Sequence, residues 1–270
     1  MIRIGTGGIP LRCEGGVVEG IETLREIGLN SMELEFVRQV FLTEKTAAGV
    51  RKAASDNDIT LSVHAPYFIN LASKEKQKIE ASKKRILKSA RIGRAAGAGI
   101  VVFHPGFYSG RPPEEAFELI REAVVDLRRI LDGEGNAILL GPETTGKVKQ
   151  FGTFDELIRL CRGLDGVIPA VDFSHMHARY NGNLKTESDF EGIFEKYRAA
   201  FGKKHMHCHF SGIEYTEKGG ERKHLPIGSG QPDYRLLANV IRRLKPDMTL
   251  ISESPNLEED ALKLKNLLGQ

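Results

Sequence analysis

Histidine and carboxylate residues recur in this sequence at one kind of position, the end of a short apolar run. The residues concerned are His64, His104, Glu143, Asp172, His207 and Glu253. Two more histidines, His175 and His224, follow the sixth and seventh of these runs. Imidazole nitrogens and carboxylate oxygens are donors that Zn²⁺ and Mn²⁺ accept, and neighbouring carboxylates repel each other unless protons or cations neutralise them. These residue types predict a divalent-metal centre, with zinc favoured by the number of histidines and manganese as the alternative.

A dense group of histidines begins at the seventh apolar run. His205, His207 and His209 alternate along the chain, so in a strand their side chains share one face. A row of imidazoles is unusual in a core, because each buried ring needs polar partners. The stretch fits either a metal-binding strand end or a solvated edge. We expect His205, and His177 after the sixth run, to face solvent.

Short apolar runs alternate with longer stretches of helical periodicity along the whole chain. The predicted strands cover residues 2–5, 31–36, 59–64, 99–104, 136–143, 167–172, 204–210 and 248–253. Eight strand–helix units without a linker predict a closed (β/α)8 TIM barrel, in a single domain over residues 1–270. A doubly wound open sheet is the alternative, but it would usually use fewer units, and no GxGxxG motif follows the first strand. In the barrel, the residues at the strand ends would converge on one bowl.

The composition excludes several classes of protein. No apolar run approaches the roughly 18 residues of a membrane span, and the N-terminus lacks the pattern of a signal peptide. The three cysteines lie far apart and form no CxxC pair, which favours a reducing compartment. We therefore expect a cytoplasmic protein without a membrane span, and we expect a monomer. Since the net charge is only +3, a polyanion would need locally concentrated positive charge.

Seven motifs together resemble endonuclease IV, a family of zinc-dependent repair nucleases built on a (β/α)8 barrel. They are HAPYFINLAS at 64–73, VVFHPG at 101–106, PETTGK at 142–147, VDFSHMHARY at 171–180, MHCHFSG at 206–212, HLPIGSG at 224–230 and ESPN at 253–256. The motifs keep the family's order over nearly the whole chain. The resemblance implies hydrolysis of double-stranded DNA on the 5′ side of an abasic site, by a water that zinc activates. It implies Glu143 and Glu253 as catalytic residues, Glu143 by bridging two metals and Glu253 by orienting the water.

The resemblance also implies two to three zinc ions, with ligands carried over by motif position. His64, His104 and Glu143 would hold the first ion, Glu143, Asp172, His207 and Glu253 the second, and His175 and His224 the third together with a carboxylate.

Two of these ligand positions depart from the family pattern or are ambiguous. His207 and His209 share a face, and we favour His207 because it follows a methionine, as the ligand does in the family's motif. Arg222 stands where the family has an aspartate, two residues before His224. The adjacent Glu221 is the candidate replacement, so the third site is the one most open to change.

The predicted loops around the bowl carry residues that the resemblance assigns to DNA. Tyr67 and Phe68 match the positions that wedge into the base stack, and their alternative role is packing over the barrel mouth. Arg38 is a candidate for the gap left by the flipped nucleotide, and the candidates for phosphate contacts are Lys147, Lys149, Arg179, Arg222 and Lys223. Each of these could equally be a solvated loop charge. Together they would supply the local positive charge that the whole chain lacks.

A sugar isomerase or epimerase of the xylose-isomerase-like barrel group is the rival prediction. Such enzymes use a Glu, Asp, His, Glu metal set from strands five to eight, which this chain matches equally well. The pair His64 and His104, with His224 on a basic loop, favours the nuclease. A non-catalytic metal-binding or DNA-binding barrel is a third class, which loss of a bridging ligand would favour. Glu33 and Glu35 interrupt the apolar second strand, and either lining of the bowl or pairing with helix lysines would explain them.

Overall fold

Ten strands and nine helices make up the chain, and the computed structural model describes residues 1–270. The strands are β1 Ile2–Gly7, β2 Ser31–Glu35, β3 Thr60–His64, β4 Ile100–Phe103, β5 Leu139–Pro142, β6 Ala170–Asp172, β7 Met206–Phe210, β8 Gly212–Tyr215, β9 Glu221–Leu225 and β10 Met248–Ser252. The helices are α1 Val17–Glu26, α2 Glu44–Asp56, α3 Lys76–Ala96, α4 Pro113–Gly133, α5 Phe154–Cys161, α6 Phe173–Arg179, α7 Glu187–Phe201, α8 Tyr234–Leu244 and α9 Leu257–Leu268.

Eight of the strands form one parallel sheet in the order β5-β4-β3-β2-β1-β10-β7-β6. The two outer strands approach each other through parallel bridges between Leu140 and Val167 and between Glu143 and Ala170. The sheet is therefore a nearly closed barrel, and the prediction of a (β/α)8 TIM barrel is confirmed. The open-sheet alternative is wrong, because the edge strands of an open sheet would not meet.

The helices pack their apolar faces on the outside of this barrel. In α4, which begins at a proline, Ala116, Ile120 and Leu127 recur at helical spacing and are completely buried. Each large side chain buried in this way contributes about 1.5–3 kcal/mol to folding. No helix is both long enough and apolar enough to cross a membrane.

Two elements near the C-terminal end of the barrel were not predicted from the sequence. The short helix α6 follows β6 without a loop, because the Asp172 side chain caps it by accepting a hydrogen bond from the His175 backbone N–H at 2.7 Å. The segment after β7, expected to be a long loop, forms the antiparallel hairpin β8–β9. Gly219 and Gly220 turn this hairpin with positive φ angles.

Candidate metal centre

Glu143 lies at the middle of a cluster of imidazole rings directly after β5, and it is completely buried. Its Oε2 atom is 3.1 Å from His64 Nε2 and 2.8 Å from His104 Nε2. Its Oε1 atom is 3.0 Å from His209 Nδ1 and 3.3 Å from His175 Nδ1. Both oxygen atoms of one carboxylate thus face histidine rings, as expected of a ligand that two metals could share.

His64, His104 and Glu143 form the first set of donors. The His64 Nδ1 atom donates to the Ala65 carbonyl oxygen at 2.8 Å, which fixes the ring and turns Nε2 towards Glu143. The three donor atoms lie within 4.8 Å of one another, so one ion could accept all of them. The structure brings these three residues together as the sequence predicts.

Asp172 and Glu253 approach Glu143 from the other side. Asp172 Oδ1 accepts hydrogen bonds from the Ser174 hydroxyl and the His175 backbone N–H, whereas Oδ2 is buried, makes no hydrogen bond and lies 3.4 Å from His175 Nδ1. An unpaired buried carboxylate oxygen is costly, and a cation would satisfy it. Glu253 Oε1 lies 3.2 Å from His209 Nδ1, and His209 stands level with Asp172 in the sheet. Donor atoms of Glu143, Asp172, Glu253 and His175 lie within 4.8 Å of one another, and His209 Nδ1 faces two of these carboxylates, those of Glu143 and Glu253.

His207 does not belong to this second set, and the choice of His207 over His209 is corrected. His207 stands level with Ala170, one inward-facing layer nearer the N-terminal mouth of the barrel. Its Nε2 atom donates to Glu33 Oε2 at 2.8 Å, and the ring borders a cavity at that opposite mouth. Two residues of strand span about 7 Å, so only His209 is high enough to reach Glu143.

The Nε2 atoms of His175 and His224 face each other and form part of a third set of donors. The Nδ1 atom of His175 donates to the Thr144 carbonyl at 3.0 Å, and that of His224 donates to the Glu253 carbonyl at 3.1 Å. The two Nε2 atoms lie 3.3 Å apart, so they share a hydrogen bond when one ring carries the proton there, and both present lone pairs when neither does. Glu221 Oε2 is 3.6 Å from His175 Nε2. Donor atoms of His175, His224 and Glu253 lie within 4.8 Å of one another, so one divalent ion could accept all three, with Glu221 beside them.

The close approach of Glu221 depends on a glycine in the loop after β5. A Cβ atom at Gly146 would lie 2.7 Å from Glu221 Cβ, 2.8 Å from Glu221 Oε2 and 3.1 Å from His175 Cδ2. Arg222, which replaces the family's aspartate, is exposed and pairs with Glu214 at 2.9 Å. Glu221, and not Arg222, therefore approaches His175.

Two carboxylates from β2 also reach the barrel interior. Glu33 is completely buried between His207 and His209, and Glu35 lies level with His64 at the upper end of the strand. Their interruption of an apolar strand was the signal for this placement, but the sequence allowed an outward orientation equally well. The interior position of both residues is a finding of the structure.

Burial and charge act against each other throughout the cluster. Burial would raise the pKa of Glu143, but the imidazoles of His104 and His209 outweigh it and hold the pKa well below its usual range. Burial would lower the pKa of His64, yet hydrogen bonding to Glu143 and the charge of Glu35 raise it to about 10. Burial raises the pKa of Glu35 to about 8, helped by Glu33 and Glu253 although His64 opposes it. His64 and Glu35 therefore hold protons at neutral pH in the metal-free protein, and metal binding would displace such protons.

Tyr67 and Phe68, the residues predicted to insert into the base stack, are exposed in a loop at the C-terminal face of the barrel. Tyr67 is 55% and Phe68 63% exposed, on the segment directly after β3. The Tyr67 ring lies 5.7 Å from the His64 ring, so this segment borders the metal cluster. Arg38 and Lys147 are exposed as well. These four side chains are free to contact a ligand over the bowl.

Arg179 is not free to contact DNA, and its assignment as a phosphate contact is corrected. The side chain is buried, because α6 turns it inward beneath the loop after β5. Nη1 donates to the carbonyl oxygens of Thr145 and Lys147 at 3.2 and 2.8 Å, and Nη2 donates to the Gln150 carbonyl at 3.0 Å. The guanidinium therefore holds the loop that carries Gly146.

The two histidines expected to face solvent differ from each other. His205 is partly exposed and lies 3.2 Å from Asp247. His177 is buried, accepts a hydrogen bond from the Leu184 N–H and packs against the Tyr215 ring at 5.3 Å, so the prediction for this residue is wrong. Burial, together with the charge of Lys185, lowers the pKa of His177 to about 4.

Residues 21–268 match the family model of the xylose isomerase-like TIM barrel. The chain belongs to this family. An uncharacterized protein of Methanocaldococcus jannaschii is 39% identical over 98% of this chain and 96% of its own length. A probable endonuclease 4 of Oceanobacillus iheyensis is 28% identical over 79% of this chain and 72% of its own length.

Solved structures with a similar fold carry the names of both predicted enzyme classes. Endonuclease IV from Thermus thermophilus superposes with a TM-score of 0.73 and 20% identity, covering 98% of both chains. A D-tagatose 3-epimerase-like protein superposes with a TM-score of 0.72 and 21% identity, covering 94% of this chain and 93% of its own. At these identities the likeness shows the shared fold, and the choice between the two chemistries depends on the site.

Proposed function

We propose that this protein is a zinc-dependent DNA-repair endonuclease that hydrolyses the phosphodiester on the 5′ side of an abasic site. The observation that carries this proposal is the shared carboxylate of Glu143, which has two histidine nitrogens on Oε2 and two on Oε1. A sugar enzyme needs one or two cations, whereas this centre offers donors for three. We infer two to three Zn²⁺ ions, with Mn²⁺ as the alternative.

The chemistry of a nuclease suits this centre. Divalent ions held there would lower the pKa of a bound water and neutralise a phosphodiester, which is the help that phosphate ester hydrolysis needs most. Glu143 holds the two donor sets at a fixed separation. Glu253, which is only partly buried, reaches from the edge of the cluster and would orient the water.

The rim supports a DNA substrate. An abasic nucleotide must leave the base stack before its phosphodiester can enter a recessed centre. The rings of Tyr67 and Phe68 are exposed, with Tyr67 beside His64, and they could fill the space in the duplex. Arg38, Lys147 and Arg222 would contact the DNA from the surrounding loops. The substrate would be double-stranded DNA containing abasic sites, bound by a monomer.

A sugar isomerase or epimerase is the second candidate, and one observation favours it specifically. Glu143, Asp172, His209 and Glu253 come from the strand ends that supply the metal set of that group. One metal in this space could polarise the carbonyl and hydroxyl oxygens of a sugar. This alternative gives no role to the exposed rim or to the additional donor sets.

The decisive experiment measures metal content and reaction on one sample. We expect the purified protein to carry close to three zinc ions and to nick a duplex that contains a synthetic abasic analogue. Glu143→Gln should reduce nicking by more than about 100-fold, because even partners outside the ligand shell cost 10–100-fold when they are changed. Glu122→Gln, an exposed change of the same type on α4, is the matched control. Full metal loading with turnover of a ketose and no incision would reject the nuclease.

A further inference from the structure

Two buried polar residues, Glu33 and His207, lie beneath the candidate donor sets and have no part in the chemistry proposed above. Glu33 is 0% and His207 2% exposed. Glu33 pairs with Ser62 across the sheet, two residues below the level of His64. A buried carboxylate and a buried imidazole in a barrel interior need a reason, because apolar side chains usually fill this layer.

Short contacts connect the two residues to the metal centre. His207 Nε2 donates to Glu33 Oε2 at 2.8 Å. Glu33 Oε1 lies 2.8 Å from His209 Nε2 as an ion pair, and neither of these two atoms makes a hydrogen bond. The other nitrogen of His209 faces Glu143 at 3.0 Å and Glu253 at 3.2 Å. The carboxylate of Glu33 thus stands between His207 and a candidate metal ligand.

This arrangement decides which nitrogen of His209 is available to a metal. A neutral imidazole carries one hydrogen, and a carboxylate beside Nε2 holds that hydrogen there. Nδ1 then presents its lone pair to the space between Glu143 and Glu253. Histidines that bind metals commonly place their second N–H against a carboxylate, which fixes the ring and increases its basicity. Because His207 occupies the other oxygen of Glu33, only Oε1 remains for His209.

We propose that Glu33 is a positioning residue that sets the tautomer and orientation of His209 as a metal ligand, and that His207 holds Glu33 in place. This inference rests on the metal centre of the proposed function, but not on the identity of its substrate. It gives the seventh strand's two inward-facing histidines different roles, one as a ligand and one as its support.

Metal binding by the full-length protein tests the inference. Zn²⁺ affinity is measured by competition with a chromophoric chelator, and the visible absorption of Co²⁺-loaded protein reports the ligand geometry. Glu33→Gln should lower the affinity for one of the bound ions by about 10–100-fold and change the Co²⁺ spectrum. His207→Leu should give a smaller loss in the same direction. Ser62→Ala, at a buried and unpaired hydroxyl level with Glu33, is the control and should leave both measurements unchanged.

Each outcome separates the inference from the proposed function. Unchanged affinity and spectrum in Glu33→Gln would overturn the role of Glu33, and an equal loss in Ser62→Ala would do the same. Should Glu33→Gln fail to fold, Glu33→Asp keeps the charge but not the reach to both rings, and is expected to show the loss. If Glu33→Gln lowers the metal affinity but the wild-type protein never cuts abasic DNA, the role of Glu33 is supported and the nuclease function is rejected. A wild-type protein without metal would overturn both.

Discussion

Histidines at positions 207 and 209 show what a sequence can and cannot say about a single residue. Their spacing predicts correctly that both side chains share one face of β7, because side chains alternate along a strand. The level of each residue depends on its register with β6 and β10, which brings His209, not His207, level with Asp172. Register is a long-range property, so no local pattern could have separated the two rings.

Arg179 illustrates the same limit for a charged residue. Its position after the sixth strand suggested an exposed phosphate contact, whereas the capped helix α6 turns it into the protein. The signal that could have indicated this is the Asp172 side chain at the N-cap, in the DFSH motif. Without the helix, nothing in the sequence connects Arg179 with the carbonyl groups of the loop after β5.

Arginine substitutions should therefore separate stability from DNA binding. Arg179→Ala removes the side-chain donor from the carbonyl oxygens of Thr145 and Gln150, while that of Lys147 keeps the Gln150 N–H, so the free energy of unfolding should fall by about 3 kcal/mol. Arg222→Ala removes an exposed side chain and should change stability by no more than about 0.5 kcal/mol. If Arg222 contacts a phosphate, its loss should weaken DNA binding. The slope of the logarithm of the binding constant against the logarithm of the salt concentration should then fall by about one.

Urea denaturation of the metal-free variants checks the first part, since metal binding would otherwise mask a difference. Titration of abasic duplex at several salt concentrations checks the second. Equal stability of Arg179→Ala and wild type would contradict the structural role of Arg179. An unchanged salt slope in Arg222→Ala would remove this residue from the DNA interface.

The positions of the main elements followed well from the sequence, and the irregular segments did not. Strand β3 was predicted at 59–64 and observed at Thr60–His64, because Ile59, Leu61 and Val63 alternate with polar residues, which is the period of a strand. The hairpin β8–β9 was expected to be a loop, since its residues are mostly polar and show no clear alternation. Yet this hairpin supplies Glu221 and His224, so the third donor set depends on the element that was hardest to foresee.

A substitution at Gly146 tests whether the hairpin supplies a metal ligand through Glu221. In Gly146→Ala the new methyl group would overlap Glu221, so the hairpin must move away from His175. We expect the protein to lose one metal ion while it keeps the ions near His64 and His104, because those donors come from other elements. Metal analysis after dialysis against a weak chelator measures this, with Gly192→Ala on α7 as a control that meets no neighbouring atom. Retention of every ion in Gly146→Ala would show that Glu221 holds none of them.

At the scale of the whole molecule, the barrel brings together donors that are more than two hundred residues apart in the chain. Glu33 and Glu253 are near neighbours only because β1 and β2 lie beside β10 in the closed sheet. The same closure buries several carboxylates and imidazoles close together, which costs free energy unless their charges are balanced. Protons can balance them in part, and divalent ions can do so more completely.

Removal of metal should therefore lower the stability of the whole barrel. A ligand at 100 times its dissociation constant stabilises the native state by about 2.7 kcal/mol for one site. For a chain of this size that corresponds to a decrease in Tm of about 5–10 °C after chelation. Calorimetry before and after EDTA treatment measures the change, and readdition of Zn²⁺ should restore the original Tm. Because the donors come from most of the barrel strands, the transition should stay cooperative and shift as a whole. An unchanged Tm would mean that protons alone balance the buried charges and that the cluster is not built around metal.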